Sequence, residues 1–150
     1  MHDESLYFTA FPSCREFLNS IKSDVHEMAR IDSMLMYGVE QRHEGKGSGI
    51  GDPTSGTAIF EIETQDKIIK HLESRREELE THVGYGLVFV AMVRESFHEP
   101  IYADVIELRY IDARTWGVIA ESVGKDKRTC MRLRDVVCDW ADYKGSGLFK

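Results

Sequence analysis

Cysteine is scarce. Cys14, Cys130 and Cys138 are the three in 150 residues, and no two stand in a Cys-x-x-Cys pair, so neither a disulfide framework nor a thioredoxin-like motif is present. They suit a reducing compartment. Long apolar runs are missing as well: no window reaches the roughly 18 uninterrupted apolar residues that a membrane span requires, and the opening MHDESLYF lacks the basic-then-apolar layout of a signal peptide. A cytoplasmic protein with no membrane partner is expected. Catalytic signatures are equally thin, with no HExxH, no nucleophile elbow and no G-x-x-x-x-G-K-[ST] phosphate loop. His26, His71, His82 and His98 have no Cys or His at zinc spacing. No catalytic residue, metal or cofactor is expected, and the chain reads as a non-enzyme.

What the sequence does hold is an uneven charge. The net charge is −7, yet residues 100–150 carry nine Lys/Arg against eight Asp/Glu, which leaves −8 on residues 1–99. Within residues 125–134 there are five cations, Lys125, Lys127, Arg128, Arg132 and Arg134, and one anion, Asp126. A polyanion responds to charge within a Debye length of roughly 8 Å, so this local basic stretch matters more than the acidic total.

Hydropathy patterning points to an all-α chain. Between Cys14 and Tyr37 the apolar residues Phe17, Leu18, Ile21, Val25, Met28, Ile31, Met34 and Leu35 recur at spacings of three and four, the period of a helix with one buried face. The stretch GVEQRHEGKGSGIGDPTSGT, about 38–57, holds six glycines and a proline and predicts an exposed loop. A second helical stretch follows, with a heptad-like seam through Ile62, Ile69, Leu72, Leu79, Val83, Val90, Val93 and Phe97 that is faulted at Gln65, Arg76 and Gly86. The faults argue against a long two-stranded coiled coil and for a hairpin of two long helices that cover each other. The segment VGYGLVFVAMV reads as helix, with a short strand as the alternative because of its β-branched residues and two glycines. Residues 1–98 are thus expected to form a helical hairpin suited to oligomerisation, and residues 99–150 a separate domain.

That last third is the most informative. Pro100 suits the first turn of a short supporting helix ending near Tyr110, and Thr115 suits the N-cap of a helix that carries Trp116, Ile119, Ala120 and Val123 inward. Gly124 suits a left-handed helix end and Asp126 the N-cap of the next helix, with Cys130, Leu133, Val137 and Trp140 on its apolar side. A helix-turn-helix needs a small residue where its helices cross and a glycine in the tight turn; Ala120 and Gly124 stand at those places. On this spacing Lys127, Arg128, Met131, Arg132 and Arg134 point away from the core.

The segment from about Pro100 to Trp140 resembles the region-four helix-turn-helix of bacterial sigma factors. VIELRYIDARTWGVIAESVGKDKRTCMRL resembles the C-terminal part of phage and prophage regulators of the ArpU type. The likeness covers some forty residues, and Cys130 departs from the valine or isoleucine usual there. It implies an all-α fold, a long-helix hairpin followed by a sigma-like helix-turn-helix domain, and a sequence-specific transcriptional regulator of double-stranded DNA.

Lys127 and Arg128 fall in the first turn of the recognition helix, where the helix dipole disfavours cations by about 0.3–1 kcal/mol each. An anionic partner offsets that cost. Arg128 and Arg132, one turn apart, suit bidentate contacts to guanine, while Lys125, Lys127 and Arg134 suit phosphates. Thr129 and Met131 complete the candidate DNA-binding set. Three other partners or roles fit the same sequence: RNA polymerase as a protein partner, a second copy of the chain meeting it through the N-terminal helices, and a small-terminase-like part in DNA packaging.

Overall fold

The computed structural model describes residues 8, 10–47, 55–144 and 149, and among them every regular element is a helix. Two long helices come first, α1 (Cys14–Gly47) and α2 (Ser55–Ser96). Three short ones follow: α3 (Pro100–Ile106), prolonged by a π-helical turn over Glu107–Ile111, α4 (Trp116–Val123), and α5 (Lys127–Asp139), prolonged by a π-helical turn over Trp140–Lys144.

The expected loop at about 38–57 is narrower than its glycines suggested. Helix-forming Glu40, Gln41, Arg42 and Glu44 carry α1 to Gly47, and α2 begins at Ser55. Residues 48–54 lie outside the described residues. The strand alternative for VGYGLVFVAMV is not realised, because α2 runs through it without a break.

Compact packing divides the chain into Met1–His26 with Thr81–Lys150, and Glu27–Glu80. The division therefore differs from the one drawn after residue 98. Its physical basis in the first unit is one aromatic core: Phe17 lies 4.9 Å from Phe8 and 5.7 Å from Phe89 between ring centroids, and Phe97 stacks on Tyr102 at 4.6 Å. Leu18, Ile21, Val90, Val93, Ile106 and Val137 are buried around these rings. The start of α1, the end of α2, α3 and α5 thus share one core, which a boundary at 98 would cut. Arg94 reinforces it at the surface with ion pairs to Asp104 at 3.0 Å and Glu107 at 3.3 Å.

Gly86, a fault in the heptad-like seam, has its reason in this core. A Cβ placed there would stand 2.9 Å from Ile21 Cγ2 and 3.0 Å from Ile111 Cδ1, so the missing side chain lets α2 approach α1 and the turn after α3.

The unit Glu27–Glu80 is held differently. Ile31 and Leu79 are its buried apolar residues among those described. Arg75 grips Glu27 with two hydrogen bonds of 3.1 Å each, and Arg76, another fault in the seam, reaches Asp32 at 2.6 Å and Glu80 at 3.4 Å. The cation that interrupts the apolar seam is therefore a cross-helix ion-pair partner. A groove of about 430 Å³ lined by Met34, Tyr37, Ile68, Ile69 and Leu72 opens beside these contacts.

Candidate nucleic-acid interface

The local signals around α4 and α5 act as their chemistry dictates. Pro100 occupies the first turn of α3, where a missing N–H is harmless. Thr115 caps α4, its hydroxyl accepting from the Val118 N–H at 3.3 Å. Gly124 ends the helix at φ 71° and ψ 32°, and the N–H groups of Gly124 and Lys125 both donate to the Ala120 carbonyl, at 3.0 and 3.1 Å. One residue further on, the Asp126 carboxylate accepts from the Thr129 N–H at 2.7 Å and starts α5. Those hydrogen bonds to Thr129 hold the Asp126 carboxyl below the usual aspartate range, and Arg132 and Arg128 add to the effect through space.

The inner sides of α4 and α5 meet in a small cluster of their own. Val105, Ile119 and Cys130 are buried there, with Ile101, Leu108, Trp116, Ala120, Val123 and Leu133 packed around them. Ala120, half-buried in that cluster, keeps the helices close. Burial pushes the Cys130 thiol up from its ordinary pKa, which makes it a core side chain in reduced form.

The outer side carries the candidate residues. Lys125, Lys127, Arg128 and Arg132 are exposed, and Thr129 and Met131 are half-buried. The Thr129 N–H and side chain both bond to Asp126, which commits Thr129 to the cap. Lys127 folds back along α4: its Cε would be 3.5 Å from a Cβ on Gly117.

Arg134 departs from expectation. It is 8% exposed, and its guanidinium donates to the Tyr110 hydroxyl at 3.3 Å and to Asp135 at 2.8 Å while lying 5.1 Å from the Trp116 ring centroid. Burial opposes its charge, but the Tyr110 and Asp135 contacts outweigh that and its pKa ends above the ordinary value. The outward orientation and the phosphate contact expected of Arg134 are therefore corrected. It stands one turn after Cys130 on the inner side of α5, and Tyr110 and Trp116 supply the partners that make an inward guanidinium tolerable.

Arg109 and Arg114 went unnoticed in the sequence. Arg109 lies 4.7 Å from the Trp116 ring centroid and donates to the Arg114 carbonyl at 3.0 Å, tying the turn after α3 to the first residue of α4. Arg114 is exposed immediately before the Thr115 cap, a further cation beside the candidate surface. The alternation of arginine with Tyr110 and Trp116 was the available signal. Within this turn Ala113 adopts a left-handed φ of 53°, flanked by hydrogen bonds from the Asp112 N–H to the Glu107 carbonyl and from the Arg114 N–H to the Leu108 carbonyl, both 2.9 Å.

No group of three or more His, Cys, Asp or Glu side chains that could hold a metal occurs among the described residues. No helix among them is long and apolar enough to cross a membrane. Comparison with protein-family models, with curated proteins and with solved structures finds no match to the chain.

Proposed function

We propose that the chain is a sequence-specific DNA-binding regulator of phage or prophage type, built as a helical hairpin with a helix-turn-helix, and that it reads double-stranded DNA with α5. The observation that carries this reading is the split of α5 into two sides: Cys130, Val137 and Cys138 are buried, while Lys127, Arg128 and Arg132 stand in solvent near the capped N-terminus. A helix end that presents cations to water, backed by a second helix across a glycine turn, has the arrangement that major-groove readers use. Arg128 and Arg132 are the candidates for base contacts. Lys125 and Lys127, joined by Arg114, are candidates for phosphates. Tight local charge within an acidic chain favours a bound groove over indiscriminate adhesion.

Selection of bound sequences from random duplex DNA tests the reading, and enrichment of one motif is the expected result. If no duplex is retained even at low salt, the DNA reading fails and the sigma-like domain is better assigned to contact with RNA polymerase or another protein. Enrichment for packaging-initiation DNA would instead favour a small-terminase-like role. A homodimer through the N-terminal helices is proposed with it, on the ground that Met34, Tyr37 and Ile68 are 50%, 64% and 53% exposed around one groove. A two-fold dimer would offer that groove its own counterpart and set two recognition helices about 34 Å apart. Light scattering at tens of micromolar separates the dimer from a monomer.

A further inference from the structure

Two of the three cysteines, separated by most of the chain, meet in the aromatic core. Cys14 is the first residue of α1 and Cys138 lies near the end of α5, and both belong to the buried cluster around Phe17 and Phe89. The backbone fixes their approach: the Cys14 N–H donates to Asp142 Oδ1 at 2.8 Å, and Asp142 follows Cys138 by one helical turn. Ser13 holds the same end of α1 by accepting from the Glu16 N–H at 3.3 Å. Cys14 and Cys138 are thereby brought to one place in the cluster, beside Asp142. Both are free, and neither is used by the surface assigned to DNA.

We propose that Cys14 and Cys138 form a peroxide-responsive dithiol, which closes to an intramolecular disulfide joining the start of α1 to the end of α5. The two sulfurs have different tasks. The neighbouring Cys138 and burial both favour the protonated Cys14 thiol. The neighbouring Cys14 thiol lowers the Cys138 pKa against the effect of burial, with Arg134 and Arg15 lowering it further and Asp142 opposing them. At 6% exposure Cys138 is the one of the pair with contact to solvent, whereas Cys14 has none, so Cys138 is the sulfur that peroxide reaches first. The buried Arg134, one turn before Cys138, thus has a second task in addition to its contact with Tyr110.

The chemistry balances with hydrogen peroxide as the oxidant. The Cys138 sulfur attacks one peroxide oxygen, the O–O bond breaks, and the departing hydroxide takes up a proton as water, leaving Cys138 as a sulfenic acid. The Cys14 sulfur then attacks the Cys138 sulfur, the S–O bond breaks, and the hydroxyl leaves as a second water with the Cys14 proton. Each sulfur gives up one electron, and the peroxide is reduced by two. Cys130 sits in the separate cluster with Val105 and Ile119 and stays out of the reaction.

The test is graded hydrogen peroxide on the full-length protein, followed by denaturation, alkylation of remaining thiols and peptide mass mapping. The expected product has lost two hydrogens, keeps one alkylatable thiol at Cys130, contains a Cys14–Cys138 cross-linked peptide, and returns to three thiols with dithiothreitol. Cys14→Ser should leave a Cys138 sulfenic acid that dimedone traps. If that variant does not fold, mapping of the unmodified chain decides alone. Three alkylatable thiols after treatment, a bridge that includes Cys130, or over-oxidation of Cys138 beside a reduced Cys14 would each overturn the proposal.

Discussion

Residues 27–80 and the rest of the chain share the same amphipathic helical text, and they are held by different forces. Among the described side chains of residues 27–80 few apolar ones are buried, and cross-helix contacts run through Arg75 and Arg76 to Glu27 and Asp32. In the remainder, aromatic rings pack at centroid distances near 5 Å around buried aliphatic residues. Six of the seven phenylalanines belong to that remainder, which is why its core is the deeper one. Spacing finds a helix; the volume and area of the side chains on its inner face decide whether it gains a core.

The largest expected effect tests the aromatic side of this contrast. Phe17→Ala removes a fully buried ring with aromatic neighbours on several sides, a loss of about 3–5 kcal/mol. Urea unfolding should place the variant near or below the limit of a folded population, and a loss under 1 kcal/mol would break the comparison.

Ala120→Leu probes the smaller cluster between α4 and α5, where overpacking should cost roughly 1–3 kcal/mol. Thermal stability and DNA affinity should fall together. A variant that melts and binds like the parent would show that the two helices do not depend on a small residue at Ala120.

Arginines two positions apart sharpen the distinction further. Arg134→Ala leaves the buried Tyr110 hydroxyl without its guanidinium and should destabilise by about 1–3 kcal/mol. Arg132→Ala should leave the unfolding midpoint in place and weaken binding to a selected duplex by about 1–3 kcal/mol. Paired urea titrations and binding curves distinguish them, and an Arg134 variant as stable as the parent would remove its structural role.

The Asp126 cap gives a pH dependence of known sign. Because its folded pKa is depressed, the stabilisation is complete above the unfolded aspartate value of about 3.9 and is lost as pH falls through the lower folded value. Asp126→Asn keeps a good cap and removes that titration, so its melting temperature should fall less steeply on acidification than the parent's. Parallel acid limbs for the two proteins would remove the cap from the account.

The smallest effect belongs to the ion-paired region. Arg75→Gln should speed amide hydrogen exchange within residues 27–80 while leaving the aromatic core protected, and the difference should shrink at 1 M salt as screening weakens the Glu27 pair. Faster exchange around Phe17 and Phe89 as well would mean that the two units do not open separately.

The sequence by itself determined what depends on a few neighbouring residues. Thr115, Gly124 and Asp126 cap and turn the chain through hydrogen bonds that span five residues or fewer, and Pro100 starts a helix by its own ring. The helical period and the exposed cations Lys125, Lys127, Arg128 and Arg132 were legible for the same reason. Only the tertiary structure decided what depends on distant partners. Arg134 reads as a surface cation until Tyr110, twenty-four residues away, accepts its hydrogen bond and Trp116 offers its ring. Gly86 and Arg76 read as faults until Ile21 and Asp32 occupy the space and charge opposite them. Cys14 and Cys138 read as unrelated thiols until α1 and α5 enter one core. Burial and pairing belong to two surfaces at once, and a single stretch of sequence states only one of them.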